Sequence, residues 1–171
     1  KRYKIIDLPG TYSLLSMSQE EEIANDFLLH GKPDVTVVVV DATRLERNLN
    51  LVLQILEITG NVVICLNLMD EASRKGITIN NLQLQEDLGV PVIPTSARYG
   101  KGLGKLIDTI TGVVNGTVTT KPHQLKNTPQ VENALNELVV LIEKSLLNSP
   151  TTFGFTVGRL RYCGSGVQTT C

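Results

Sequence analysis

The sequence predicts an α/β fold, a mostly parallel sheet with flanking helices followed by a C-terminal helical segment. Three observations carry that expectation. Residues 34–41 (Asp-Val-Thr-Val-Val-Val-Val-Asp) and 62–70 (Val-Val-Ile-Cys-Leu-Asn-Leu-Met-Asp) contain apolar runs too continuous for one-sided antiparallel strands, and read as central, buried parallel strands. Between them, Leu45, Leu49, Val52, Leu53 and Leu56 recur at helical spacing up to Gly60, which completes a strand, helix, strand unit. Each strand also ends in polar or small residues, at the edge where open α/β sheets place their ligands.

Composition narrows the class. The 171 residues are 42% hydrophobic and carry 16 basic and 17 acidic side chains, enough for one globular core with a small appendage. Lys and Arg are dispersed and the isoelectric point is near 6.2, which argues against a nucleic-acid partner. No apolar run reaches the roughly 18–20 residues that a membrane-spanning helix needs, so these residues are expected to be soluble. Cys65, Cys163 and Cys171 make neither a disulfide framework nor a metal-ligand spacing, and reduced thiols are expected. The first residue is Lys1 and a strand is expected at once, so the chain is expected to be a piece of something longer.

Residues 2–7 (Arg-Tyr-Lys-Ile-Ile-Asp) are expected to form that short strand, followed by Leu8-Pro9-Gly10. An Asp at a strand end three residues before a Gly is the pattern with which phosphate switches hold a Mg²⁺-bound water and offer a backbone N–H to a terminal phosphate. Taken alone, Asp7 and Gly10 are better read as a strand ending in an ordinary Pro-Gly turn. Ser18 is the expected N-cap of a helix whose Glu20, Glu21 and Glu22 suit the dipole of a solvated first turn, with Gly31 as its stop. His30 and His123 have no partner pattern and are expected at the surface.

The run from Val62 ends in Asn67-Leu68-Met69-Asp70. There a carboxylate can accept hydrogen bonds from N1–H and N2–H of guanine, where adenine offers an acceptor instead. Asn67 is expected to tie neighbouring loops together, although Asn-x-x-Asp by itself is more often a solvated turn than a nucleotide site. Asn80 to Leu88 reads as a short helix closed by Gly89, and residues 90–95 as the next strand. Ser96-Ala97-Arg98 follows, small enough at its start for backbone N–H groups to approach O6 of the same base. Residues 103–114 close the domain as an amphipathic helix.

The organisation expected is a domain over residues 1–116, a Thr-, Lys- and Pro-containing linker over 117–128, a strong amphipathic helix opening a segment at 129–149, and an atypical tail over 150–171. The tail is rich in Gly and Thr with no acidic residue, and its glycines are not followed by the Gly-Lys-Ser/Thr of a phosphate loop.

Together, Asp7-Leu8-Pro9-Gly10-Thr11-Tyr12-Ser13-Leu14, Val39-Val40-Asp41-Ala42-Thr43, Arg47-Asn48-Leu49, Asn67-Leu68-Met69-Asp70 and residues 89–97 resemble the cytoplasmic GTPase domain of bacterial ferrous iron transport protein B. The resemblance covers about residues 1–149. It implies a P-loop-GTPase-like sheet, GTP or GDP and Mg²⁺ as cofactors, and a role in ferrous iron uptake at the cytoplasmic side of the inner membrane. Asp7 and Gly10 then belong to the Mg²⁺ (through water) and terminal-phosphate switch, Asn67, Leu68 and Asp70 to guanine recognition, and Ser96 and Ala97 to the base-contact loop. Thr11 stands where many small GTPases carry a water-orienting Gln, so hydrolysis should be slow. The helix from Pro129 would lead towards the membrane permease of the same full-length chain, and a homo-oligomer is compatible with this organisation.

This sequence departs from the family pattern in three ways. No Gly-x-x-x-x-Gly-Lys-Ser/Thr occurs in it; that loop and the first strand are expected before Lys1, leaving an unpaired slot between residues 2–7 and 34–41. Leu68 replaces the Lys of Asn-Lys-x-Asp, which should reduce ring stacking and favour fast nucleotide exchange. The tail matches nothing expected of the family. Two alternatives of other classes are a nucleotide-incompetent interaction fragment and a different regulatory small GTPase.

Overall fold

Four consecutive valines build the first strand of a parallel sheet. In the computed structural model, which describes residues 2–11, 13–14, 18–123 and 129–147, β1 (Thr36–Asp41), β2 (Val62–Asn67) and β3 (Val92–Pro94) lie in the order β1-β2-β3. Thr36 stands opposite Val62 and Asp41 opposite Asn67, while Ile64 faces Val92 and Leu66 faces Pro94. The parallel register brings the C-terminal ends of all three strands to one edge.

Helices flank the sheet. They are α1 (Gln19–His30), α2 (Leu45–Ile58), α3 (Met69–Arg74), α4 (Asn81–Leu88) and α5 (Leu103–Val114), with 3₁₀ turns at Ala42–Arg44 and Ala97–Tyr99. The expected caps form: Ser18 Oγ accepts from Glu21 N, and Asn80 Oδ1 accepts from Gln83 N at 3.1 Å. Val38, Val40, Val62, Ile64 and Leu66 bury one sheet face with Leu28, Val52, Ile55, Leu56 and Ala72. On the other face Val63 and Ile93 pack with Val113 of α5. The chain divides into two compact units, Lys1–Gln124 and Leu125–Cys171, and α6 (Pro129–Leu147) is the helix of the second.

Two expectations about strands are corrected. β1 stands at the edge of the sheet among the described residues, beside the expected unpaired slot, but it is not buried on both faces: Val38 and Val40 are buried, while Val37 and Val39 are 37% and 63% exposed. Register and alternation put Val37 and Val39 on the face of Val63, where α5 packs on Val63 and Ile93. Residues 2–7 form no strand; they are exposed, and Tyr3 Oη reaches Thr111 Oγ1 of α5 at 2.6 Å. A strand needs a hydrogen-bonded neighbour, and the strand expected between this segment and β1 is not among these residues.

The segment expected as a linker is tied down in its first half. Lys121 N donates to Gly89 O at 2.8 Å and His123 N to Leu88 O at 3.2 Å. Gly89 has φ +69°, and a Cβ there would collide with the Lys121 carbonyl, so glycine is required on both counts. Both histidines are exposed as expected but do have partners: His123 Nδ1 donates to Asp87 O at 2.9 Å, and His30 Nδ1 lies 2.8 Å from Asp26 Oδ1. Residues 124–128 of the expected linker and the tail over 150–171 lie outside the described residues. Among the described residues no helix is long and apolar enough to cross a membrane.

Candidate functional site

The end of β2 is where the sequence changes from apolar to polar, and its Asn67 becomes a hub. Asn67 Oδ1 accepts from Ala97 N at 3.0 Å and from Thr95 Oγ1 at 3.3 Å, so one amide joins the ends of β2 and β3. Thr95 N donates to Leu66 O at 2.8 Å and Met69 N to Thr95 O at 3.1 Å. Ser96 Oγ accepts from Asp70 N at 3.2 Å. Thr95 and Ser96 are 1% and 5% exposed, so these bonds are shielded from water, where an unmet partner is costly.

Leu68 makes the corner. It caps α3 in the left-handed region, φ 62° and ψ 31°, a conformation that costs a non-glycine residue on the order of 1 kcal/mol. The turn reverses the chain at once into α3, which places Asp70 in the helix's first turn. The Asp70 carboxylate stays partly open, with Arg74 Nη2 at 3.5 Å and a side chain 22% accessible.

The loop expected to contact the base is pinned where Ser96 N donates to Lys101 O at 3.1 Å. Gly100 and Gly102 have φ +68° and +81°, and a Cβ on Gly102 would collide with the Pro94 carbonyl. The amides of Ser96 and Ala97 thus both have protein partners, and contact of Ala97 N with a base requires a three-centre bond or a loop shift.

The segment expected to face a terminal phosphate is built differently. Asp7 and Gly10 are exposed, and the hydrogen bonds of the corner do not reach them; Leu8 packs on the main core. Thr11 Oγ1 donates to Glu21 Oε1 of α1 at 3.0 Å and accepts from Ser13 N at 3.1 Å. Glu21 is therefore not the fully solvated carboxylate expected of this helix start. Gln54 Oε1 of α2 accepts from Leu14 N at 2.7 Å and from Ser13 Oγ at 3.3 Å. Beside the corner, a cavity of about 200 Å³ is lined by Asp41, Arg44, Arg47, Asn48, Asn67 and Leu68.

Asp7, Gly10, Thr11, Asn67, Leu68, Asp70, Ser96 and Ala97 were the candidates of the sequence; Glu21, Gln54 and Thr95 were missed. Gln54 had a signal, a polar residue inside the apolar stretch Leu51 to Leu56, whereas nothing in the sequence distinguishes Thr95. Among the described residues no group of three or more His, Cys, Asp or Glu side chains is gathered for a metal. Mg²⁺ in nucleotide sites keeps several waters and takes most other oxygens from phosphates, so one exposed carboxylate at Asp7 is compatible with the water-mediated role.

A parallel sheet with Asn-x-x-Asp hydrogen-bonded to Thr-Ser-Ala at its C-terminal edge makes an α/β domain whose polar groups gather where such sheets bind ligands. Comparison with known proteins gives the family. The family model described as "Ferrous iron transport protein B" matches residues 1–110, and the chain belongs to that family. It is 49% identical over 94 residues to the Fe(2+) transporter FeoB of Helicobacter pylori strain J99, covering 55% of this chain and 15% of that protein. It is 40% identical over 147 residues to the Fe(2+) transport protein A/Fe(2+) transporter FeoB fusion protein of Porphyromonas gingivalis, covering 85% and 17%. The chain thus spans less than a fifth of either relative. Among solved structures, the cytosolic domain of T. maritima FeoB in a GDP form matches with a TM-score of 0.73 at 35% identity, over 80% of this chain and 54% of that one. The same domain in its GMPPNP form matches with a TM-score of 0.72 at 36% identity, over 80% of this chain and 54% of that one.

Proposed function

We propose that these residues are part of a GTP-binding and GTP-hydrolysing domain that regulates or powers ferrous iron uptake, on the cytoplasmic side of the bacterial inner membrane. The observation that carries the reading is the Asn67 hub, which joins two strand ends and leaves the Asp70 carboxylate open beside them. The GDP and GMPPNP forms of the similar T. maritima domain support a guanine nucleotide as ligand.

In this reading the Asp70 carboxylate accepts from guanine N1–H and N2–H, and the base-contact loop over residues 96–97 faces O6. Gly10 offers its N–H to the terminal phosphate, where a Cβ would hinder approach. Asp7 would hold Mg²⁺ through a water, and the metal would supply positive charge that offsets the charge of the phosphates. Catalysis rests on positioning and charge stabilisation rather than on a covalent residue, and with Thr11 in place of a water-orienting amide, turnover is slow. Residues 1–116 form the nucleotide domain, and the segment over 129–149 begins a helical domain leading to the permease.

Calorimetric titration of the complete natural protein with GDP and ADP tests the reading. GDP is expected to bind at least about a hundredfold tighter than ADP, because adenine leaves a buried acceptor unmet. Equal affinity for the two would overturn it.

A further inference from the structure

We propose that Gln54 is a positioning residue for GTP hydrolysis, its side-chain oxygen fixing the segment that follows Asp7-x-x-Gly10; the proposal rests on the function argued above. Two donors converge on that oxygen, the backbone N–H of Leu14 at 2.7 Å and the hydroxyl of Ser13 at 3.3 Å. A backbone N–H can only donate, so the atom facing it is the amide oxygen, and the polarity of the clamp is fixed.

Leu14 is 8% exposed and belongs to the main core, so its N–H has little recourse to water. Gln54 is forty residues away in sequence. It lies on α2, between the buried Val52 and Ile55, a helix with little freedom to shift. The nucleotide-facing segment is thereby held at its far end by a side chain mounted on the sheet's own helix. Gly10, three residues before Ser13, has no heavy atom within 4 Å of where its Cβ would be, so its neighbours hold it in place: Leu8 on the core, the bond from Thr11 to Glu21 and the Gln54 clamp. Gln54 touches neither base nor phosphate in this scheme. It acts through residues 13–14, and its loss should slow the chemical step without weakening GDP, which lacks the terminal phosphate.

The test uses the complete natural protein with Gln54→Leu, which keeps volume and removes the acceptor, and Gln54→Glu, which keeps acceptor oxygens. In Q54L, kcat is expected to fall roughly tenfold, the scale of one lost hydrogen bond to a buried donor, with KM for GTP and Kd for GDP unchanged. Hydrogen exchange at the Leu14 amide should accelerate by a similar factor, and Q54E should restore both kcat and protection. Unchanged kcat in Q54L, unchanged Leu14 exchange, or a Q54E protein that behaves as Q54L overturns the proposal. If Q54L no longer binds GDP, Leu14 exchange in Q54E decides: protection supports the clamp and its loss refutes it. If the wild-type protein binds no GDP and hydrolyses no GTP, the functional reading fails, while Leu14 exchange in Q54L still decides whether the clamp exists.

Discussion

The proposed base-reading corner and the proposed phosphate-side segment lie in the same unit but are held by different means. At the corner, main-chain bonds run directly between strand ends: Thr95 N to Leu66 O and Met69 N to Thr95 O, with the Asn67 side chain as a cross-brace. Among the described residues, 7–11 and 13–14 have no sheet partner, and side chains reach them from helices, Glu21 to Thr11 and Gln54 to Ser13 and Leu14. Groups that read a base gain from being fixed beforehand. A segment that responds to a terminal phosphate must be able to change its contacts, and a few side-chain clamps release more easily than a ladder.

The sharpest break of that comparison is expected in nucleotide affinity. The polypeptide of residues 1–171 by itself contains the corner but no Gly-x-x-x-x-Gly-Lys-Ser/Thr. Charge-assisted contacts of backbone N–H groups and one Lys to phosphates are worth roughly 1.5–3 kcal/mol each. Losing several together costs at least about three decades of affinity. Calorimetry on this polypeptide should therefore show no saturable GDP or GTP binding at micromolar concentrations, and a polypeptide that includes the phosphate loop should bind both. Tight GDP binding by the short form would mean that another segment cradles the phosphates.

A smaller effect sharpens the corner side. Asn67→Ala removes the acceptor shared by Ala97 N and Thr95 Oγ1, the latter buried, and should lower unfolding free energy by about 1–3 kcal/mol. Urea unfolding measures it. A change below about 0.5 kcal/mol, the ordinary range for surface substitutions, would mean that the main-chain bonds suffice and Asn67 braces nothing.

The same contrast governs what could be read in advance. The strands of the unit, α2 and α4 between them and the corner residues were legible because their signals are local: apolar runs, helical spacing, capping residues and an Asn-x-x-Asp at a strand end. Val39 was expected to be buried because four consecutive valines look like a central strand. Its 63% exposure follows from which neighbours β1 has, and no local pattern records that. Residues 2–7 failed as a strand for the same reason, since pairing belongs to two segments and not to one. The short helix Met69–Arg74 was hidden behind the polar corner, where the left-handed Leu68 turns the chain in a conformation that leucine does not announce. The Gln54 clamp spans forty residues and joins two stretches that show no periodicity in common.

The most direct test of the account exchanges the base read at the corner. In the complete natural protein, Asp70→Asn replaces an acceptor by a partly donating amide facing two donor groups. It should weaken GDP by about 2–4 kcal/mol, through buried groups left mismatched. Xanthosine diphosphate, which presents an acceptor where guanine has its amino group, should gain affinity for the same variant. Calorimetry with both nucleotides on both proteins gives the answer: a crossing of preference is the result this account predicts, and GDP affinity unchanged by D70N would contradict the assignment of residues 67–70 to base recognition.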